Sequence, residues 1–134
     1  NVELFQGFKG MQSLYSLLME DIKTGEILKY FGAEISLRSE RLEQFYRSVN
    51  LKLKELKVIT KGIHESKARG KIANIDLIEV RFIDQILPPD LTIFKDKVVL
   101  ISWQEQPKGI LIRSKQIADQ YHIMWDHLWK KAKT

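Results

Sequence analysis

Three histidines are the side chains of this sequence best suited to metal binding or acid–base chemistry, because the chain has no cysteine. His122 and His127 lie five positions apart in the last predicted helix. Two side chains that share a metal ion on a helix are usually three or four positions apart, which places them on one face. These two imidazoles therefore face different directions, and we interpret them as surface or packing residues. The sequence predicts no metal site and no cofactor.

His64 differs from the other histidines because it lies at the end of a predicted strand. Strand ends of α/β proteins often carry functional groups, so His64 is a candidate site residue. The alternative is a polar residue that only ends the strand. Asp84, Asp90 and Asp96 lie at predicted turns, where aspartate commonly bonds to the local backbone. The chain has no phosphate-binding glycine loop and no local serine–histidine–aspartate signature, so no motif indicates an enzyme.

Tryptophan offers a different kind of candidate. Trp103 follows a predicted strand and precedes "QEQP" (104–107), so it could close the hydrophobic core or form the flat wall of a ligand pocket. The sequence leaves both roles open. Trp125 and Trp129 belong to the apolar stripe of the last predicted helix, which indicates core positions.

The elements that must position these residues alternate between strands and helices. Strands are predicted over 2–7, 26–32, 57–65, 78–84, 91–94, 98–103 and 108–114. Most are short runs of apolar or β-branched residues next to turn signals, and 78–84 alternates apolar with polar residues. Apolar spacings of three and four predict helices over 8–23, from a Ser36 cap to about Lys57, and after a Ser114 cap. The fold class is therefore α/β, with a mixed sheet flanked by helices in a single domain.

Two connections have their own sequence signals. The turn "KDK" (95–97) lacks the asparagine–glycine pair typical of two-residue hairpins, so a slightly longer loop is expected there. The stretch 66–77 is polar and basic at its start, which predicts a mobile loop or an irregular crossover.

Composition limits the classes of partner. The 134 residues suit one domain, and the net charge of +5 favours an anionic partner. "KARGK" (67–71) and "KKAK" (130–133) are the most basic stretches, and they could bind nucleic acid. No apolar run approaches the roughly 20 residues of a membrane span. The sequence therefore predicts a cytoplasmic protein without a membrane partner.

A long C-terminal segment carries a family resemblance. "IFKDKVVLISWQEQPKGILIRSKQIADQYHIMWDHLWK" resembles the C-terminal region of TrmB-type transcription regulators. Those proteins have a charged turn, "VALL-W", an acidic-proline break, "AI-I-S-EIA--Y" and a final "LW". The upstream "LFQGFKGMQSLYSLLMEDIKTGEILKYFGA" is similar to their helix start with two glycines and their strand ending in "FGA".

The resemblance implies a phospholipase D-like fold that is used without catalysis. Catalytic members of that fold carry a histidine, a lysine two residues on, and an aspartate seven residues after the histidine. When the turn "DK" (96–97) is placed on theirs, Pro88 falls at the histidine, Asp90 at the lysine and Lys95 at the aspartate. Since proline has no imidazole to act as a nucleophile, we expect a chain that is not an enzyme.

The resemblance also implies partners. TrmB-type regulators join an N-terminal winged helix to a C-terminal domain that senses small effectors and helps the protein dimerise. We therefore expect a domain cut from a longer chain, a homodimer, an effector that is a sugar or an anionic metabolite, and DNA bound through the N-terminal domain. A nucleic-acid-binding module that uses the basic stretches and a purely structural dimerisation domain remain as alternatives.

The expected ligand site lies at the strand ends that hold the active site in catalytic relatives. Arg38, near a predicted helix start, could hold an anionic group or pair with Glu34. The candidate ligand-binding residues are Gly32, Glu34, Arg38, His64, Asp90 and Trp103.

Overall fold

A computed structural model describes residues 1–32, 39–72, 74–88 and 90–134. The described residues form a seven-stranded mixed sheet with three α-helices, which confirms the predicted fold class. The strands are β1 Val2–Gln6, β2 Ile27–Phe31, β3 Ile59–Glu65, β4 Ile78–Ile83, β5 Leu91–Phe94, β6 Lys97–Ser102 and β7 Lys108–Arg113. The helices are α1 Gly7–Met19, α2 Glu40–Glu55 and α3 Lys115–Lys131, and a short 3₁₀ turn spans Ser66–Ala68.

The sheet has a parallel and an antiparallel half that meet at β2. The strand order is β1-β7-β6-β5-β2-β3-β4, in which β2, β3 and β4 are parallel and the remaining neighbours are antiparallel. Phe31 at the end of β2 pairs with Leu91 at the start of β5 and with Ile63 near the end of β3. The last residues of β2 and β3 therefore meet the first residues of β5, and this junction positions the candidate site.

Helix α2 begins later than predicted. The Oγ of Ser39 accepts a hydrogen bond from the backbone N of Leu42 at 3.2 Å, which makes Ser39 the N-cap. Glu40 and Glu43 in the first turn add negative charge where the helix dipole favours it. The predicted cap Ser36 lies outside the described residues. The predicted cap of α3 is confirmed, because Ser114 Oγ accepts from Ile117 N at 3.2 Å.

The hairpin between β5 and β6 is tighter than predicted. Phe94 pairs directly with Lys97, so the turn contains two residues rather than a longer loop. Lys95 adopts a φ of +53° and so supplies the left-handed conformation without the expected glycine. The backbone N of Ser114 bonds to the carbonyl of Asp96 at 2.9 Å and holds the turn against the start of α3.

Hydrophobic cores fill both faces of the sheet. Helices α1 and α2 cover one face, where Met11, Leu14, Leu18 and Leu42 are fully buried. Helix α3 covers the other face through Trp125, whose indole N–H donates to the carbonyl of Tyr30 at 2.9 Å. Trp125 is buried as predicted, whereas Trp129 is only partly buried and stacks on it with ring centroids 4.9 Å apart.

A buried lysine joins the sheet to the end of α1, and it gives the fold a pH dependence. Lys97 Nζ donates to the carbonyl of Leu17 at 2.9 Å and to Asp21 Oδ1 at 2.8 Å. The hydrogen bond from Lys97 is the main cause that lowers the pKa of Asp21 in the folded protein. A depressed carboxyl pKa stabilises the fold above the unfolded pKa of about 4, and this stabilisation is lost as the pH falls through the folded value.

The Asp21→Asn variant tests this pH dependence. Because the Asp21 side chain is half exposed, we expect its free energy of unfolding to be only about 0.5–1 kcal/mol below that of the wild type at pH 7. The difference should begin to shrink below about pH 4, where the carboxyl of the unfolded chain becomes protonated, and should vanish as the pH falls through the lowered pKa of the folded protein. Urea unfolding of both proteins at several pH values measures it. A difference that stays constant down to acidic pH would show that Asp21 does not titrate with folding.

Candidate functional site

A cavity of about 300 Å³ lies between α2 and the parallel half of the sheet. Strands β2, β3 and β4 form its floor, α2 and Tyr15 of α1 form its wall, and residues Lys71, Ile72 and Ile75 of the crossover border it. The predicted irregular crossover at 66–77 therefore helps to enclose this space. Because the last residues of β2 and β3 meet the start of β5, polar side chains converge at one end of the cavity.

His64 is held in the cavity wall by two glycines. The His64 side chain is buried, and its Nε2 lies 2.9 Å from the hydroxyl of Tyr30 on β2. A Cβ at Gly32 would lie 2.0 Å from His64 Nδ1, and a Cβ at Gly62 would lie 2.1 Å from Tyr30 Cζ. The two aromatic rings can therefore lie against the backbone only because both positions are glycine. This gives Gly32, a predicted site residue, a defined steric role.

Asp90 is the buried carboxylate of the cavity. Its Oδ2 accepts hydrogen bonds from the hydroxyl of Tyr46, at 2.5 Å, and from the indole N–H of Trp103. Its φ of +41° is uncommon for a residue with a side chain, although aspartate tolerates it better than most. The backbone carbonyl of Asp90 accepts from Ile101 N at 3.1 Å, which fixes the residue against β6. Neutral donors therefore hold this carboxylate in place.

A chain of phenols extends from Asp90 into the core. The hydroxyl of Tyr15 donates to the hydroxyl of Tyr46 at 3.2 Å, and it lies 3.4 Å from Thr92 Oγ1. Burial is the main cause that raises the pKa of both tyrosines above the ordinary value, and the nearby carboxylate of Asp90 raises each pKa further. Both phenols therefore remain protonated and act as hydrogen-bond donors at neutral pH.

Trp103 lies in the core rather than in the cavity wall. Its ring packs against Phe8, Phe45 and Tyr46, with centroid distances of 5.9, 5.5 and 5.6 Å. The sequence allowed Trp103 either to close the hydrophobic core or to form a pocket wall, and the structure shows that it belongs to the core. Trp103 reaches the site through its hydrogen bond to Asp90 and through its contact with the Tyr46 ring.

Four of the six predicted site residues come together in the structure. His64 and Asp90 line the cavity, Gly32 makes room for the His64 ring, and Trp103 holds Asp90. Glu34 and Arg38 lie outside the described residues, so their contact with a ligand or with each other stays a prediction.

The tyrosines that complete the site were not predicted from the sequence. Tyr15 and Tyr46 fall on the apolar stripes of the first two predicted helices, which indicates core positions, and no pattern distinguishes Tyr30. A usable signal existed, because a buried phenol needs a hydrogen-bond partner and a stripe of otherwise aliphatic residues does not supply one. Two phenols on neighbouring helices therefore indicate a shared polar group, which the structure identifies as Asp90.

The other two histidines lie outside the cavity. His122 contacts the carbonyl of Lys95 at 2.8 Å and Lys29 Nζ at 3.3 Å, and His127 is exposed. Over 1–32, 39–72, 74–88 and 90–134, no three histidine, aspartate or glutamate side chains are grouped so that they could hold a metal ion. None of the helices in the described part of the chain is long and apolar enough to span a bilayer.

Comparisons with known proteins place this architecture among solved structures. Neither a protein-family model nor a curated protein sequence matches the chain. The chain is similar to TrmBL2, an archaeal chromatin protein whose structure shows a mode of DNA binding. The TM-score is 0.64 and the identity 14%, over 98% of this chain and 53% of that one. The chain thus spans about half the length of TrmBL2.

Two further structures match over nearly their full length. Nuc from Salmonella typhimurium, a phospholipase D family member, has a TM-score of 0.62 and 13% identity over 99% of this chain and 96% of its own. NucT from Helicobacter pylori has a TM-score of 0.66 and 11% identity over 99% of this chain and 98% of its own.

The full-length matches contradict the prediction that the chain is not an enzyme. That prediction rested on the absence of catalytic motifs and on three positions near the hairpin, Pro88, Asp90 and Lys95. The whole chain corresponds to a whole phospholipase D family member, which points to an enzyme, so the prediction is wrong. Moreover, an imidazole is present in the cavity, at His64 on β3 rather than before β5. What these likenesses establish is the fold: the chain is a mixed α/β domain with the phospholipase D-like arrangement of sheet and helices.

Proposed function

We propose that the chain is the ligand-binding domain of a DNA-binding regulator, and that its ligand occupies the cavity between α2 and the parallel strands. The cavity carries the proposal. Its volume of about 300 Å³ is at the lower end of the range for small-molecule sites, and it combines an apolar lining with a few convergent polar groups. Protonated phenols, an imidazole and a fixed carboxylate are groups that orient a ligand by hydrogen bonds.

The likeness to TrmBL2 supports the regulatory part of the proposal. The chain covers about half of that chromatin protein, so in a similar arrangement DNA contact would involve a second segment of the polypeptide. The cavity would then let a small effector, such as a sugar or an anionic metabolite, influence DNA binding. The proposal also includes the assembly of two copies of the chain into a homodimer.

Thermal unfolding in the presence of ligands tests the proposal. A ligand that binds only the native state raises its stability, by about 2.7 kcal/mol at 100 times Kd. We expect at least one compound from a panel of sugars, sugar phosphates and hydroxylated carboxylates to raise Tm by about 5 °C or more.

Two tryptophan substitutions on α2 provide the matched control. Asn50 lines the cavity, so Asn50→Trp should fill it and abolish the shift, whereas Lys52→Trp on the exposed side of the same helix should preserve it. If no compound in the panel stabilises the wild type, or if Asn50→Trp responds equally, the cavity is not the ligand site.

Phosphodiester hydrolysis is a second candidate function, favoured by the full-length likeness to a phospholipase D family member. His64 is the imidazole that borders the cavity, and its contact with Tyr30 orients the ring. It could take the proton from a water molecule that attacks phosphorus, a role that contributes about 10²–10⁴-fold to rate.

Release of p-nitrophenolate from bis(p-nitrophenyl) phosphate measures this activity. Turnover that falls about 100-fold or more in His64→Asn but persists in His122→Asn would support an enzyme that uses this site. Turnover that is absent, or that is the same in both variants, would exclude hydrolysis of this substrate at His64.

A further inference from the structure

A buried hydroxyl without a partner lies in the cavity wall. Thr60 on β3 is 3% exposed, and within the described residues its Oγ1 is the buried side-chain polar atom that forms no hydrogen bond. Leaving such a group unpaired costs about 1–3 kcal/mol. Since Thr60 lines the cavity, a bound molecule could supply the missing partner.

The surroundings of Thr60 are aliphatic. Leu28 on β2 and Ile78 on β4 flank it directly in the sheet register, and both line the cavity. Leu53 lies near the start of β3, because its carbonyl accepts from Val58 N at 3.0 Å, and it lines the cavity as well. Ile75, whose carbonyl bonds to Ile78 N, completes this end. A single hydroxyl therefore projects from an apolar surface.

The opposite end of the cavity is polar. His64 lies four residues beyond Thr60 on the same face of β3, a distance of about 13 Å at the rise of a β-strand. Tyr46 and Asp90 are joined by a hydrogen bond and border the same cavity. Arg47 and Lys71 also line the cavity, together with the two carboxylates of Glu43 and Asp90, and the two cations can bind an anionic group on the ligand.

We propose, on the basis of the ligand-binding function above, that the ligand is an amphipathic molecule with two polar ends. An oxygen function at one end bonds to the Thr60 hydroxyl, an aliphatic body lies among Leu28, Leu53 and Ile78, and an anionic head group lies toward His64. This architecture favours such a molecule over the free sugar allowed above, because a ligand that is polar over its whole length would leave its own hydroxyl groups unpaired at the aliphatic end.

The two probes 8-hydroxyoctanoate and octanoate test this assignment, since they differ in the terminal hydroxyl alone. Isothermal titration calorimetry should show that the wild type binds 8-hydroxyoctanoate about 5-fold more tightly than octanoate, the effect of one hydrogen bond of about 1 kcal/mol. In Thr60→Val, which keeps the branched shape but lacks the hydroxyl, the preference for 8-hydroxyoctanoate should disappear or reverse, because its terminal hydroxyl would lie unpaired among aliphatic side chains.

Three controls separate this effect from a general disturbance of the site. Thr60→Ser keeps a hydroxyl and should retain the preference. Thr92→Val should retain it too, because Thr92 Oγ1 already contacts Tyr15. Urea unfolding without ligand should find Thr60→Val as stable as the wild type or more stable, because the substitution removes an unpaired group.

The outcomes distinguish the two proposals. Equal binding of both probes to the wild type, or a preference that survives in Thr60→Val, overturns the role of Thr60. Binding of glucose 6-phosphate, abolished by Asn50→Trp, without binding of either probe overturns the amphipathic ligand and leaves the ligand-binding function intact. If neither probe, nor glucose, nor glucose 6-phosphate binds, both proposals fail.

Discussion

Replacing Asp90 with alanine is expected to lower the free energy of unfolding by about 3–5 kcal/mol. The substitution removes the acceptor of two buried donors, the Tyr46 hydroxyl and the Trp103 indole N–H, and each unpaired donor costs about 1–3 kcal/mol. Alanine also tolerates the left-handed backbone of this position less well than aspartate does. Equilibrium unfolding in urea, followed by tryptophan fluorescence, measures the loss.

Asp90→Asn provides the matched control for this experiment. Asparagine keeps an acceptor oxygen and tolerates positive φ well. We therefore expect Asp90→Asn to lower the free energy of unfolding by only about 1 kcal/mol. The contrast between the two variants isolates the acceptor from the shape of the side chain. If Asp90→Ala and Asp90→Asn lower the free energy of unfolding by the same amount, the hydrogen bonds to Asp90 do not stabilise the site.

Gly62→Ala is expected to displace Tyr30 from the cavity wall. The new Cβ would lie 2.1 Å from Tyr30 Cζ and 2.4 Å from its hydroxyl, so the ring must move and lose its contact with His64. Overpacking of this kind lowers the free energy of unfolding by about 1–3 kcal/mol. Because the ring forms part of the cavity, we also expect the variant to lose the thermal response to the ligand that stabilises the wild type.

Tyr30→Phe distinguishes the ring from its hydroxyl. This substitution keeps the ring over Gly62 and removes only the hydroxyl that contacts His64. It should lower the free energy of unfolding by about 1 kcal/mol and retain part of the rise in Tm that the ligand causes. Urea unfolding and thermal shifts of both variants provide the comparison. A Gly62→Ala protein with wild-type stability and response would show that Tyr30 does not depend on this glycine.

Features encoded by neighbouring residues could be predicted from the sequence. The apolar stripes of α1 and α3 follow from local periodicity, and the cap at Ser114 follows from the residue type. The strands follow from short apolar or β-branched runs between turn signals. The start of α2 was misplaced because Ser36 and Ser39 both suit an N-cap. The hairpin turn was predicted too long because Lys95 adopts positive φ without being glycine or asparagine.

Features that depend on distant residues could be predicted only in part. The structure places His64 and Asp90 on the same cavity, because the last residues of β2 and β3 meet the start of β5, and ligand binding by either residue stays a prediction. The pairing of Asp90 with Tyr46, 44 positions away, cannot be deduced from spacing. The steric need for Gly32 and Gly62 likewise depends on rings from neighbouring strands. The error about enzymatic activity arose because short motifs and one hairpin do not reveal a likeness that extends over the whole domain.

The central claim is that the cavity between α2 and the parallel strands binds a small molecule. A titration of the ¹⁵N-labelled protein, followed by amide chemical shifts, tests it most directly with 8-hydroxyoctanoate and glucose 6-phosphate as ligands. We expect one of them to shift the amides of Tyr30, Thr60 and His64 together, with a single saturating affinity. Shifts confined to the basic stretches 67–71 and 130–133, or no shifts with either compound, would contradict the claim.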